Sequence, residues 1–203
     1  PRRKKLAIFC NVAKEDVISA PDVKSIYDVP LNFEKDKLGE RILEKFGLKN
    51  KKKDMNDWRR LVNAIKRARK EVKIGIVGKY FATGDFQLAD SYISVIEALK
   101  HGGMANKCKV NMSWLNAEEV EKNGVNILKE FDGIIVPQGW GSRGSEGKIK
   151  TIKYCRKNNV PYFGLCYGMQ MAVIEFARDV LKLKNANSEE VDPETAHPVI
   201  HIM

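Results

Sequence analysis

The sequence predicts an α/β fold in which a parallel sheet is flanked by helices, and three observations carry that expectation. From residue 72 onward, short apolar runs alternate with longer segments whose apolar residues recur at helical spacing. The runs, "IGIV" and "GIIV" among them, are apolar at successive positions, as in strands covered on both faces. Two of the runs end in glycine-rich corners, "VPQGWG" and "GLCYG". In an open parallel sheet functional atoms collect at the carboxyl ends of the strands. Those corners are where the chemistry is to be sought.

The elements follow in order. "KKLAIFCNV" (4–12) reads as a buried strand. "DKLGERILEKFGL" places Leu38, Ile42, Leu43 and Phe46 at helical spacing, with Gly47 as the stop. "KNKKKDMNDWRRLVNAIKRARKE" begins as a lysine-rich linker. It continues as a basic connector helix carrying Trp58, Leu61, Val62 and Ile65, with Asp54 or Asp57 as N-cap. "VKIGIVGKY" is a strand. "LADSYISVIEALKHGG" is a helix with Ile93, Ile96, Ala98 and Leu99 inward and Gly102–Gly103 as its stop. "CKVNMSWL" is a strand, and "NAEEVEKNGVNILKEF" is helical in parts behind an Asn116 cap. "DGIIVPQGWG" is a strand entering a turn, "SEGKIKTIKYCRKNN" a helix, "VPYFGLC" a strand and "YGMQMAVIEFARDVLKL" a helix. The change of texture gives three parts: 1–50, a connector at 51–71, and 72–203.

The bulk numbers narrow the class. The chain has 203 residues, 43% hydrophobic and 31% charged, as soluble globular proteins do. No apolar run approaches the roughly 20 residues that span a bilayer. The four cysteines, Cys10, Cys108, Cys155 and Cys166, are far apart with no CxxC pair. That disfavours a zinc ribbon or disulfide framework, implies no metal site, and suits a reducing cytoplasm. A formal charge of +10 raises the question of nucleic acid. The basic residues are spread along the chain, however, and no nucleic-acid module is present, so no nucleic-acid partner is expected. The start at Pro1 and the apolar end "VIHIM" look cut from something longer.

The sharpest local signal is "GLCYG". Glycine-x-nucleophile-x-glycine between a strand and a helix is the form of a nucleophile elbow. Gly164 and Gly168 fit because so sharp a turn crowds the backbone. The turn lifts the Cys166 sulfur above the sheet at a helix N-terminus, where orphan N–H groups and the helix dipole suit an attacking thiolate. The Tyr167 N–H would face the oxyanion formed when sulfur attacks a carbonyl. The glycine turn of "VPQGWGSRG" would lie beside the elbow and add a donor. The bland alternative is that Cys166 is a small buried hydrophobe.

Here a resemblance becomes specific. "FDGIIVPQGWGSRGSEGKIKTIKYCRKNNVPYFGLCYGMQMAVIEFARDVLKLKNANSEE", with "VGKY" and "DSYISVIEALKHGG" before it, resembles the glutaminase domain of the CTP synthase family. "KKLAIFCNV" and "VISAPDVKSIYDVPL" resemble the end of that family's synthetase domain. The resemblance implies a flavodoxin-like class I glutaminase domain, incomplete, preceded by a short α/β remnant of the synthetase domain. It implies a ligase of pyrimidine biosynthesis that makes CTP from UTP, ATP and glutamine, with Mg2+ as cofactor and a homotetrameric parent. Cys166 then matches the nucleophile. Tyr167, Gly168, Met169 and Gln170 match the segment lining the glutamine pocket, and Gly139 matches a glutamine-binding glycine. Glu190 matches the acid that holds the substrate α-amino group. Gln138 and Tyr167 occupy the oxyanion positions. Lys5 matches a contact to the pyrimidine nucleotide, and Pro21, Asp22 and Val23 match a stretch at the ATP site.

Two departures stand out. The family has Pro-Gly-Gly where this chain has Pro137-Gln138-Gly139. A backbone N–H survives that change, but glutamine tolerates positive φ poorly. The turn is therefore expected either to flip on binding or to work in an ordinary conformation. The family's histidine base, oriented by a glutamate, has no match: only His101, His197 and His201 occur, and "AHPVIH" is not its motif. No GxxxxGK[ST] loop occurs either. The chain alone is therefore expected to be inactive or impaired. The alternatives are a non-catalytic binding or scaffold module on the same fold, and a class I amidotransferase with another acceptor.

Overall fold

The structure is a computed structural model that describes residues 1–50, 53–79 and 92–201. The chain forms two compact units, residues 1–67 and residues 68 onward.

The first unit is helical among its described residues. It contains α1 (Arg2–Phe9), α2 (Val29–Lys35), α3 (Leu38–Lys45) and α4 (Asn56–Arg67), with 3-10 turns at Lys14–Asp16 and Ile26–Asp28. Little of it is buried beyond Ala7 and Val62, and polar ties hold it together. Asp16 meets Lys45 at 2.7 Å and Arg41 at 3.4 Å, and Asp36 meets Arg3 at 2.5 Å. Trp58 Nε1 donates to the Tyr27 carbonyl at 2.9 Å. Asp54 accepts from the Asn56 N–H at 2.8 Å, which settles the capping choice for α4. The strand expected at 4–12, and with it a strand in the segment 1–50, is not what forms: residues 2–9 are helix α1. A strand needs a neighbour to satisfy its backbone, and this unit offers none among its described residues. A helix closes its hydrogen bonds locally. The apolar content that suggested a strand is left outside, Ile8 at 70% and Phe9 at 88% exposure.

The second unit is the expected α/β layer structure. Its elements are β1 (Lys70–Gly78), α5 (Ile93–Ala105), β2 (Cys108–Asn116), α6 (Ala117–Asn123), β3 (Gly133–Val136), α7 (Ser145–Asn158), β4 (Tyr162–Gly164), α8 (Tyr167–Asp179), and the short pair β5 (Asn187–Ser188) and β6 (Pro198–Ile200). The main sheet runs β2-β1-β3-β4, all parallel. Neighbouring residues divide between its faces. Ile76 and Ile135 pack with Tyr92 and Val95 beneath α5. Val77, Ile134 and Val136 pack with Leu115, Val120 and Leu128 on the other side. Burial on both faces is why these strands are apolar at successive positions.

Two glycines set how closely the helices approach. The Gly102–Gly103 pair does not end α5, which continues to Ala105. Gly103 instead seats the helix on β2, where a Cβ would stand 2.7 Å from Val110 Cγ2 and 2.9 Å from the Cys108 carbonyl oxygen. The inward face of α5 is accordingly Val95, Ile96, Leu99 and Gly103, while Ile93 is 52% exposed and Ala98 is exposed as well. On α7, a Cβ at Gly147 would fall 1.8 Å from the Ala117 carbonyl oxygen.

The α7–α8 layer buries Ile149, Ile152, Tyr167, Met171 and Ile174. Arg156 clasps the buried Glu175 with Nε at 3.0 and 3.1 Å and Nη2 at 2.6 Å. Burial pushes the Cys155 thiol up to about 12, which makes it inert packing. Lys148 is the anomaly. It is 1% exposed, has no carboxylate in ion-pair reach among the described residues, and sets its ammonium 4.6 Å from the Tyr167 ring centroid. Burial, and then the neighbouring charge of Lys79, lower its pKa to about 8.

Adjacent positions on α7 should therefore respond with opposite signs. Gly147→Ala gains about 1 kcal/mol of helix propensity but meets backbone, and should destabilise by about 2 kcal/mol net or more. Lys148→Met keeps the stem and drops the desolvated charge, and should stabilise by about 2 kcal/mol. Thermal melts of both variants check the signs. The lysine also fixes a pH signature. Between about 8 and the ordinary 10.5 the unfolded chain holds this proton and the folded chain does not. Stability from this group therefore rises with pH across that window and is lost as pH falls through about 8. In Lys148→Met that slope should vanish.

Candidate active site

The corner after β4 is built by close approach. The ladder runs one step past β4, with the Leu165 N–H donating to the Val136 carbonyl at 2.9 Å. The chain then reverses at Cys166, whose φ of 50° and ψ of −104° lie where non-glycine residues are strained. Helix α8 begins at the next residue. A Cβ on Gly164 would sit 2.6 Å from the Gly168 carbonyl carbon, and one on Gly168 would sit 2.0 Å from the Val136 oxygen. Both glycines are thus required by backbone meeting backbone. Tyr162 Oη fixes the same turn by donating to the Gly168 carbonyl at 2.7 Å.

Cys166 is exposed at the N-cap of α8. It opens on a groove of about 920 Å³ whose walls include Ile135, Phe163, Leu165, Val95 and Leu99. Gln138 stands at that groove with it. The sulfur is therefore not packed away as a structural cysteine.

The turn after β3 forms the second half of the site. Neither Gln138 nor Gly139 takes a positive φ; the left-handed positions are Gly141, at 72°, and Gly144, at 71°. The turn thus sits in an ordinary conformation at the substituted position. Four side chains hold it. Tyr92 Oη donates to the Gln138 carbonyl at 3.4 Å, and Lys79 Nζ donates to the Trp140 carbonyl. Tyr167 Oη donates to the Gly141 carbonyl at 2.5 Å, and Glu190 Oε1 accepts from the Gly141 N–H at 2.6 Å. Behind the turn, a Cβ at Gly139 would meet Lys148 Nζ at 3.3 Å. Burial also holds the Lys79 ammonium below its usual range, with Arg143 adding to the effect.

The structure thus joins most of the expected residues. Cys166 and Gln138 share the groove, and Gly139, Tyr167 and Glu190 converge on the turn. Gly168 is the packing point beneath the sulfur. Gln170 is half-buried, its Oε1 enclosed with no hydrogen-bond partner among the described residues. Met169 faces elsewhere, onto a separate apolar groove of about 390 Å³ with Val173 and Phe176. In the first unit Lys5 is exposed on α1, and Pro21, Asp22 and Val23 lie in irregular chain. Among the described residues no cluster of three His, Cys, Asp or Glu side chains could hold a metal ion, and no helix is long and apolar enough to cross a membrane. His101 lies in the later turns of α5, toward the amino ends of the strands and away from Cys166.

Sequence reading missed Tyr92, Lys79 and Lys148 as parts of the turn. For Lys148 a signal existed. Lys148, Thr151, Ile152 and Cys155 occupy one buried helical stripe, and a lysine in such a stripe is out of place.

Comparison with known proteins agrees with this geometry. Residues 87–201 match the family model described as glutamine amidotransferase class-I, and residues 1–48 match that for the CTP synthase N-terminus. The CTP synthase of Thermococcus gammatolerans is 49% identical over 201 residues, 99% of this chain and 37% of that protein. That of Caldanaerobacter subterraneus is 50% identical over 202 residues, again 99% of this chain and 37% of the relative. This chain therefore spans little more than a third of the length of these relatives. Among solved structures, the glutaminase domain of Trypanosoma brucei CTPS with bound acivicin superposes with a TM-score of 0.60 at 39% identity, covering 65% of this chain and 50% of that one. With its model match extending over more than half of its length, the chain belongs to the class-I glutamine amidotransferase family, and the proteins it resembles from end to end are CTP synthases.

Proposed function

We propose that residues 72–203 are part of a glutaminase domain that hydrolyses glutamine at Cys166. In this reading residues 1–50 are the end of a synthetase domain, joined to it by the connector at 51–71. The whole protein then uses ATP with Mg2+ to aminate UTP to CTP with the ammonia released. The observation that carries the reading is the strained backbone of Cys166, which lifts an exposed sulfur to the mouth of a groove at a helix N-terminus. Strain of this kind costs about 1–3 kcal/mol and persists where function needs it.

The chemistry follows from the groups present. The sulfur attacks the γ-carboxamide carbon of glutamine, and the carbonyl electron pair moves onto oxygen. Collapse expels ammonia, which takes up the proton given by the thiol, and leaves a thioester. Water then releases glutamate. Glu190 stands at the turn to receive the substrate ammonium, with Oε1 held by the Gly141 N–H and the carboxylate keeping acceptor capacity for the ligand. The Tyr167 N–H, first in α8, serves the oxyanion. The proton-transferring base lies outside the groups assembled at this groove, so the isolated chain should turn glutamine over poorly while still reacting at sulfur.

Incubation with acivicin, followed by intact-mass and peptide mapping, should place one adduct on Cys166 and none on Cys10, Cys108 or Cys155. Cys166→Ala should abolish the adduct and, in the whole protein, lower glutamine hydrolysis by at least about 10³-fold. An unmodified Cys166 would remove the reading and favour a binding module. Glu190→Gln should raise KM for glutamine about tenfold with kcat nearly unchanged, because it weakens ground-state and transition-state binding alike.

A further inference from the structure

The residue that sets this turn apart is Gln138, and its place in the groove gives it work to do. Successive residues of the turn face opposite ways. Gly139 faces Lys148 and Tyr167, whereas Gln138 lines the groove that holds Cys166. The Gln138 backbone is held in place. Its carbonyl receives the Tyr92 hydroxyl and its φ is not positive, so a peptide flip that a glycine makes cheaply is resisted here. The residue is half-buried, and its carboxamide makes no hydrogen bond among the described residues, which leaves it available to a ligand. Val136 pairs with Gly164 at the end of the ladder, so Gln138 and Cys166 each stand two residues past the last paired positions of adjacent parallel strands.

We infer that the Gln138 side-chain carboxamide donates a hydrogen bond to the oxygen of the carbonyl under attack, sharing the oxyanion with the N–H at the start of α8. This rests on the glutaminase reading. As the Cys166 sulfur bonds to the carboxamide carbon, the electron pair displaced onto oxygen is met by an Nε2–H that is already in the groove. No backbone rearrangement is required at the moment of reaction. Carboxamide side chains are effective oxyanion donors, each worth about 10²–10³ in kcat.

The test uses the whole protein and three variants, Gln138→Ala, Gln138→Gly and Gln138→Glu, with steady-state glutamine hydrolysis and the rate of Cys166 alkylation by iodoacetamide. Alkylation forms no oxyanion and reports only the sulfur and its access. Gln138→Ala should lose about 10²-fold in kcat with KM changed less than threefold. Gln138→Glu should lose at least as much, because a carboxylate cannot donate and repels the oxyanion. Alkylation rates and melting temperatures should match the parent in all three. A Gln138→Ala protein with parental kcat overturns the inference and leaves the glutaminase reading standing; Gln138→Gly, which frees the peptide to turn its own N–H toward the oxyanion, should lose less than Gln138→Ala. A parent protein that releases no ammonia from glutamine and forms no acivicin adduct overturns both.

Discussion

The site depends on one close approach: the backbone of α8 at Gly168 against the Val136 carbonyl at the end of β3. That contact fixes where the helix starts. With the helix start fixed and β4 paired to β3, a single residue must turn the chain between them. Cys166 takes that turn at positive φ. Its cost of about 1–3 kcal/mol is local, whereas the anchoring is shared. Tyr167, Met171 and Ile174, all essentially buried, each contribute about 1.5–3 kcal/mol of apolar burial. The helix cannot relax the corner without pulling those side chains out of the layer. The strain is thus held by packing far more than by anything at the sulfur itself.

The second constraint is charge placed where packing would prefer none. Lys79 and Lys148 bring two ammonium groups to the Tyr167 ring, at 5.9 and 4.6 Å from its centroid. Mutual repulsion and lost hydration oppose that arrangement, and the ring faces recover only about 1–2 kcal/mol. What it achieves is geometric. Lys79 pins the Trp140 carbonyl and Lys148 fills the space behind Gly139. The tyrosine between them reaches past to Gly141. A turn of this kind has few backbone bonds of its own, and these side chains replace them. The arrangement trades some stability for a fixed loop, a familiar bargain at functional sites.

Much of this was legible in the sequence, for reasons that can be named. The strands of the second unit and the GLCYG corner could be read because both rest on local facts: two-sided burial and glycine at backbone contacts. Gly102–Gly103 misled because glycine serves either to stop a helix or to let it approach a sheet, and only the neighbour, Val110, decides which. Residues 4–12 misled because an apolar run fits strand or helix until a partner strand is known to exist. Met169 sits within the segment that resemblance assigns to the pocket. Helical rotation turns it toward Val173 and Phe176 instead, since residues four and seven apart share a face. Lys79 and Tyr92 lie 46 to 88 residues before the groups they serve, and no window of sequence joins them; Lys148 lies close in the chain to Gly139 and Tyr167, and its signal was the charge that interrupts a buried helical stripe.

The corner and the turn are also coupled through one residue. Tyr167 is first in α8, so its position is set by the Gly168 contact. Its hydroxyl ends on Gly141, whose N–H holds Glu190. A shift of α8 therefore reaches Glu190 through a single rigid ring and two short hydrogen bonds. The nucleophile and the acid that would grip the substrate 24 residues later in the chain are placed by the same helix start. Independent placement would need two separately stabilised loops; here the tolerance of one is inherited from the other. That is why backbone packing at Gly168, remote from any substrate atom, governs the geometry of both ends of the site.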